Sequence, residues 1–173
     1  MEYFDVYDEH GNKLDKTAPR GSHLNKGEYF LIVHVWVSNG RGEYLIQRRA
    51  KPTDANPYLW ATTTGGADVG ESARAAARRE TKEELGLTFD KDAFERLKII
   101  TSIRGRWQTI CHVFHVHTDR NLEDIRVNPD EVLDVKYATL RDIKRMIKEK
   151  TFWDYPYLMN DPDYFRVLEK RSP

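Results

Sequence analysis

The stretch that most restricts what this chain can fold into is residues 65–87, GGADVGESARAAARRETKEELGL. From Glu71 to Glu84 it holds neither glycine nor proline and is rich in alanine and other strong helix formers, and Gly86 follows as a stop. The spacing predicts a helix of about four turns at 3.6 residues per turn. At about 100° per residue, Ala73, Ala76 and Ala77 share a face with Glu80, Glu83 and Glu84, with Arg74, Arg78 and Lys82 opposite. A helix that only packs would carry leucine or isoleucine on that stripe. Small residues followed by three acids describe a helix lying close to other backbone and directing charge at something.

Carboxylates three and four residues apart on a helix repel one another unless a cation sits among them. A hard divalent ion, Mg²⁺ or Mn²⁺, suits such a set, because it takes oxygen ligands, keeps several waters and is completed by substrate phosphates. Gly65, Gly66 and Gly70 give the loop ahead of the helix the freedom to bring backbone polar groups close to a charged ligand. Three acids on an isolated helix would read as a solvated face. The register of Glu71, Arg79 and the flanking glycines with them argues for a metal site instead.

The rest of the composition narrows the class. A chain of 173 residues is expected to form a single domain, residues 1–173, that buries about 70% of its unfolded surface. Its 28 basic and 28 acidic side chains balance, so charge makes no case for a nucleic-acid polymer or a membrane as partner. No apolar run approaches the ~20 residues of a membrane span, residues 1–11 lack the basic and apolar regions of a secretory signal, and the single Cys111 precludes an internal disulfide. A cytoplasmic protein is expected. A homodimer is compatible with the sequence and not required by it.

Along the chain, residues 2–7 alternate like a strand and end in a turn-rich cluster, predicting an N-terminal hairpin. Residues 15–27 read as a surface loop. Residues 30–37, nearly all β-branched or aromatic, predict a central strand buried on both faces, joined through residues 38–42 to a second strand over 43–49. Residues 51–58 read as a loop. A short strand over 61–64 then delivers the chain to the glycines. Strands are expected at 99–103, 108–117 and 135–137, then a helix from Thr139 or Leu140 to Lys150 and an aromatic tail with Trp153 and Pro156. Strand, helix and strands again predict a mixed β-sheet flanked by helices.

The order Gly65, Glu71, Arg79, Glu80, Glu83, Glu84, Gly86 is that of the Nudix box, and the chain is identified by it as resembling the Nudix hydrolase superfamily. The resemblance implies an α/β/α sandwich and Mg²⁺- or Mn²⁺-dependent hydrolysis of a small-molecule diphosphate. It implies metal binding by Glu80, Glu83, Glu84 and the Gly65 carbonyl, with Arg79 holding a catalytic glutamate in place and Glu80 or Glu83 helping to activate water. Outside the box, Asn39, Gly42, Leu45, Ile46, Arg48, Arg49, Leu59, Trp60 and residues 130–132 follow a layout similar to isopentenyl diphosphate isomerases. Those isomerases carry a catalytic cysteine and a metal-binding histidine near the start of the box, where this chain has only Gly65, Gly66 and Ala67, so hydrolysis is the expected activity. A non-catalytic binding module on the same fold would have no reason to keep every box acid.

Four further groups are candidates. Glu131, before the last strand, is a second candidate base. Of Arg48 and Arg49, strand alternation lets one meet a phosphate. His115 could line the substrate pocket, and Trp60 could stack on a substrate or simply fill the core. Arg20, His23, Lys26, Arg104 and Arg106 are equally open between phosphate contacts and solvation. Cys111, His112, His115 and His117 match no closed zinc pattern.

Overall fold

The computed structural model describes residues 2–50, 56–105, 107–155 and 161–171. Its organising strand is β3 (Tyr29–Ser38), whose side chains are apolar or aromatic at eight of ten positions and buried at nine of ten. One edge of β3 pairs in parallel with β8 (Trp107–His117) from Phe30 to Ser38. The other edge is shared end to end by three antiparallel partners: β1 (Tyr3–Tyr7) at Tyr29 and Phe30, β6 (Thr63–Gly66) from Ile32 to Val35, and β4 (Glu43–Arg49) at Val37 and Ser38. Outside these, β2 (Lys13–Pro19) pairs with β1, β7 (Glu95–Arg104) with β8, and β5 (Trp60–Ala61) and β9 (Val132–Thr139) with β4.

Alternation along β3 separates two cores. Leu31, Val33, Val35 and Val37 face α1 (Ala73–Leu85), packing with Ala73, Ala76, Ala77 and Leu85 and with Phe94, Ile110 and Phe114. Trp36, with Ile46, Cys111 and Val113, faces α2 (Leu140–Lys148) and the tail, where Leu140, Ile143, Met146, Phe152, Tyr155, Tyr164 and Leu168 cover it. The last of these lies in α3 (Arg166–Glu169). A third, smaller core of Phe4, Val6, Ala18 and Phe30 sits under the N-terminal hairpin. The mixed sheet flanked by helices is thus the architecture found.

Several expectations shift. Residues 15–19 belong to β2 rather than to a loop; its polar, mostly exposed side chains give no strand pattern, and it is held by main-chain pairing to β1. The strand over 61–64 is two, broken where Thr62 turns its hydroxyl onto the Val35 carbonyl (2.5 Å). β7 and β9 are longer than the apolar runs that announced them. The loop at 51–58 lies mostly outside the described residues, as do Arg106 and Pro156. No helix among the described residues is long and apolar enough to cross a membrane.

The tail is pinned by polar groups within the second core. The Trp36 indole nitrogen donates to the Tyr164 hydroxyl (2.8 Å), which lies 2.9 Å from His34 Nδ1. An indole can only donate, so the Tyr164 oxygen accepts from Trp36 and shares a second hydrogen bond with His34, whose direction follows the imidazole tautomer. Burial pushes His34 down to about 3, so the ring is neutral. Tyr164→Phe removes the oxygen on which both groups converge and should lower the unfolding free energy by about 1–3 kcal/mol. Urea denaturation followed by tryptophan fluorescence checks this, and an unchanged midpoint would contradict the network.

Candidate active site

α1 is set by its caps. The Ser72 hydroxyl accepts from Ala75 N–H (3.3 Å), and Gly86 ends the helix at φ 66° with its N–H on the Lys82 carbonyl. The helix therefore starts two residues later than the glycine-free run suggested, and Glu71 lies in the loop ahead of it. There its carboxylate accepts from Asp68 N–H (3.0 Å) and takes two bonds from Arg79, at 3.1 and 2.9 Å.

Arg79 is the hub. Its guanidinium also donates to Glu80 Oε1 (2.8 Å), to Glu83 Oε2 (3.1 Å) and to the Gly66 carbonyl (2.8 Å), and stands 3.5 Å from the Asp68 carboxylate. Burial works against its charge, but the bonds to Glu71 and the charges of Glu80 and Glu71 outweigh this and hold its pKa above the ordinary value. The cation that relieves the helix acids is therefore partly built into the chain.

Compensation is incomplete further in. Glu80 packs so closely under β6 that its carboxylate occupies the space a Cβ on Gly65 would take. Burial, opposed by Arg79 and reinforced by Glu83 and Glu131, raises Glu80 to about 7. Glu84 is buried against the sheet, and its Oε2 makes no hydrogen bond. Burial and the charge of Glu80 push its pKa well above the usual carboxylate range, with Gln47 and Arg49 pulling the other way. Gln47 is itself buried with its Oε1 unbonded. The Ala50 N–H donates to the Glu131 carbonyl (2.9 Å), which ties the loop carrying that acid to the end of β4. Arg49 lies over the Trp153 ring, 4.9 Å from its centroid.

Six carboxylates, Asp68, Glu71, Glu80, Glu83, Glu84 and Glu131, thus gather along one seam with two guanidiniums, Arg79 and Arg49. Among the described residues no three His, Cys, Asp or Glu side chains converge closely enough to enclose an ion alone. A magnesium-type ion asks for less, since one or two carboxylates suffice when water and phosphate complete the shell. The unbonded Glu84 oxygen and an all-oxygen donor set fit a hard divalent cation.

The structure brings Gly65, Arg79, Glu80, Glu83, Glu84, Arg49 and Glu131 to this seam and leaves three other expected residues elsewhere. Arg48 and Trp60 lie opposite each other on the face away from α1, where Arg48 Nε donates to the Tyr58 carbonyl (3.1 Å) and Lys136 stands over the Trp60 ring (4.2 Å). His115, opposite Trp36 on β8, is on that same face, 2.9 Å from the Ser38 hydroxyl. None of the three reaches the acids, because strand alternation turns them through the sheet. The same alternation would have found Gln47, two residues before Arg49. Trp153 gave no such signal, since the tail has no periodicity. Arg20 is held by Glu2 (2.8 Å) at the hairpin.

The model of the NUDIX domain matches residues 28–160. The chain is similar to an uncharacterised Nudix hydrolase of Listeria innocua, 33% identical over 159 residues covering 91% of this chain and 92% of the relative. It is also similar to an isopentenyl-diphosphate Delta-isomerase of an Enterobacter species, 27% identical over 169 residues covering 93% and 89%. A Deinococcus radiodurans crystal structure superposes with a TM-score of 0.74 at 17% identity, covering 99% and 100%, a likeness of fold.

The raised acids carry a sign. A carboxylate whose folded pKa lies above its unfolded value binds more protons folded than unfolded between the two, so its contribution is full below the unfolded value and is lost as pH rises through the folded one. For Glu80 that window runs from the ordinary 4.5 to about 7. The neutral buried His34, His112 and His115 add stability as pH rises over much of the same range, so Glu80 is read by difference: relative to Glu80→Gln, the metal-free native protein should lose stability as pH rises across the window. Calorimetry of both proteins checks this, and parallel pH profiles would overturn the placement of Glu80.

Proposed function

The chain belongs to the Nudix family, and from that premise we propose that it is a metal-dependent hydrolase that cleaves a diphosphate linkage, in a nucleoside diphosphate derivative or a small organic diphosphate, by attack of water on phosphorus. The observation that carries the reading is the buried Glu84 carboxylate with an unbonded oxygen beside Glu80. Burying two neighbouring acids is costly unless cations compensate them, and of these two Arg79 bonds only Glu80, while Glu84 is offset by Gln47 and the charge of Arg49 with one oxygen still unbonded. A bound Mg²⁺ or Mn²⁺ would supply that charge, polarise the phosphoryl oxygens and lower the pKa of a bound water.

The roles of the chain's own groups follow. Glu80, Glu83 and Glu84, with the Gly65 carbonyl, would hold the ion. Arg79 holds Glu80 and Glu83 in one orientation while tying the helix to the Gly66 carbonyl. The water's proton would pass to a carboxylate beside the ion, and Glu80 and Glu83, oriented by Arg79, are candidates for that task. Glu131 stands close enough in charge to raise both buried acids and is a further candidate. Arg49, on the seam side of β4, would meet the substrate's phosphate.

An isomerase would need an acid and a base on opposite sides of an alkene. In place of a histidine near the box start, Ala67 is sealed in the α1 core with its N–H on the Leu31 carbonyl (2.9 Å). Screening the protein with Mg²⁺ and Mn²⁺ against nucleoside diphosphate compounds, dinucleotides, isoprenoid diphosphates and thiamine diphosphate should reveal metal-dependent release of phosphate or a monophosphate. Glu83→Gln and Glu84→Gln should each lower kcat by about 100-fold or more while the fold persists by circular dichroism. Deuterium exchange into isopentenyl diphosphate without phosphate release would overturn the proposal in favour of isomerisation.

A further inference from the structure

The N-terminal hairpin lies outside the span matched by the NUDIX model, yet it grips the glycine loop of the acidic seam from both sides of the sheet. On the α1 side, Asp5 is buried in β1, and its Oδ2 accepts from the Gly70 N–H at 2.7 Å. The same oxygen receives Lys13 Nζ from β2 at 3.1 Å, across the hairpin. On the opposite side, the Phe4 ring lies so tightly against Gly66 that a Cβ there would come within 2.5 Å of it. β1 and β6 take consecutive stretches of the same edge of β3, which brings hairpin and loop end to end.

What the hairpin grips is the segment that aims the seam. Between Phe4 and Asp5 are held Gly66, whose carbonyl receives Arg79, and Asp68 and Glu71, which flank the same guanidinium. Gly70 has φ 78°, so the turn that presents Glu71 is one that most residues resist, and Asp5 accepts the backbone hydrogen of that turn. A hydrogen bond from a backbone N–H to a buried, charged carboxylate is among the stronger ones available to a loop.

We propose that the β1–β2 hairpin is a clamp on the Gly66–Glu71 loop and that Asp5 is a positioning residue for Arg79 and the acids it orients. Its metal-related part rests on the reading of the seam as a divalent-cation site. Asp5 touches neither substrate nor metal. It acts through Gly70, Glu71 and Arg79, as partners one shell out commonly set ligand orientation.

The test uses the full-length protein and Asp5→Ala, Asp5→Asn and Lys13→Met. Three quantities are read: hydrogen exchange of the Gly70 amide, the NMR signal of the Arg79 Nε proton, and Mn²⁺ affinity by electron paramagnetic resonance with the metal alone. Asp5→Ala should speed Gly70 exchange about tenfold or more, shift the Arg79 signal, and weaken Mn²⁺ binding about tenfold. Asp5→Asn, whose amide oxygen still accepts from Gly70, should recover most of the loss. Lys13→Met, which spares the loop bond, should leave all three near native values. Should Asp5→Ala not fold, Asp5→Asn and Lys13→Met decide: the clamp predicts a partial loss in Asp5→Asn, whose neutral oxygen accepts more weakly from Gly70, and none in Lys13→Met, and equal results in the two, whether a loss or none, overturn it. Unchanged Gly70 exchange or an unmoved Arg79 signal overturns the proposal, as does faster exchange with native Mn²⁺ affinity. If the native protein binds no Mn²⁺ but Asp5→Ala moves Gly70 and Arg79, the clamp stands and the metal reading of the seam falls.

Discussion

The site depends on one guanidinium. Arg79 donates to three carboxylates and one carbonyl, contributed by the loop before α1 and by the helix itself, and stands beside a fourth acid. Without it, Glu71, Glu80 and Glu83 would be held apart by repulsion, and Gly66 would lose the contact that joins β6 to the helix. Lysine could not replace it, because a point charge on a flexible stem cannot give planar, divergent bonds to several partners at once. The arginine orders the acids but does not bond Glu84, whose buried Oε2 is left without a hydrogen bond, and that open oxygen beside Glu80 is what makes the seam suited to a cation.

That local economy is possible because of how β3 divides its edge. A strand of ten residues is long enough to take three antiparallel partners in succession, and β1, β6 and β4 do so. The ends of three separate chain segments are thereby brought into line without any long loop having to enclose the site. β6 supplies glycines, which let α1 approach closely; β4 supplies Gln47 and Arg49; β1 supplies Asp5. The small side chains of α1, Ala73, Ala76 and Ala77, are the counterpart on the helix, since bulkier residues would lift Glu80 off the Gly65 backbone. Thr81 completes the close approach by returning its hydroxyl to the Ala77 carbonyl (2.7 Å), so a polar residue is tolerated at a fully buried position.

Much of this was legible because the box works by local periodicity. The acids fall on one helical face whatever the rest of the chain does, and the run of β3 is apolar because both its faces are covered. What was not legible depended on long-range pairing. β2 carries no hydrophobic alternation, so only its partner reveals it as a strand. Glu131 was legible as a candidate by its place before the last strand, and alternation from Arg49 reaches Gln47, but the pairing of β4 with β9 that carries the Glu131 loop to the seam has no local signal. The contact of Asp5 with Gly70 spans 65 positions and has no motif at either end.

Three residue types that are often functional elsewhere illustrate the same limit. Arginine, tryptophan and histidine at 48, 60 and 115 look like phosphate, base and proton contacts, and in a sheet each has an even chance of facing either side. Parity decides: Arg48 pairs with Trp60, Ile46 pairs with Lys136, and Trp36 pairs with His115, so all three candidates share the face of Trp36 and Ile46 that α2 and the tail cover. Their chemistry is used there for packing, as the Lys136 ammonium over Trp60 and the edge-on contact of Tyr44 with His115 show. The face toward α1 keeps Gln47 and Arg49. The sheet therefore separates its tasks largely by side, with buried aromatic and polar contacts anchoring the tail on one face and the acids gathered along the other. A substitution at Tyr44 or Ile46 acts on the docking of α2 and the tail, one at Gln47 acts on the surroundings of Glu84, and one at Arg49 acts on both the charge near Glu84 and the contact with Trp153.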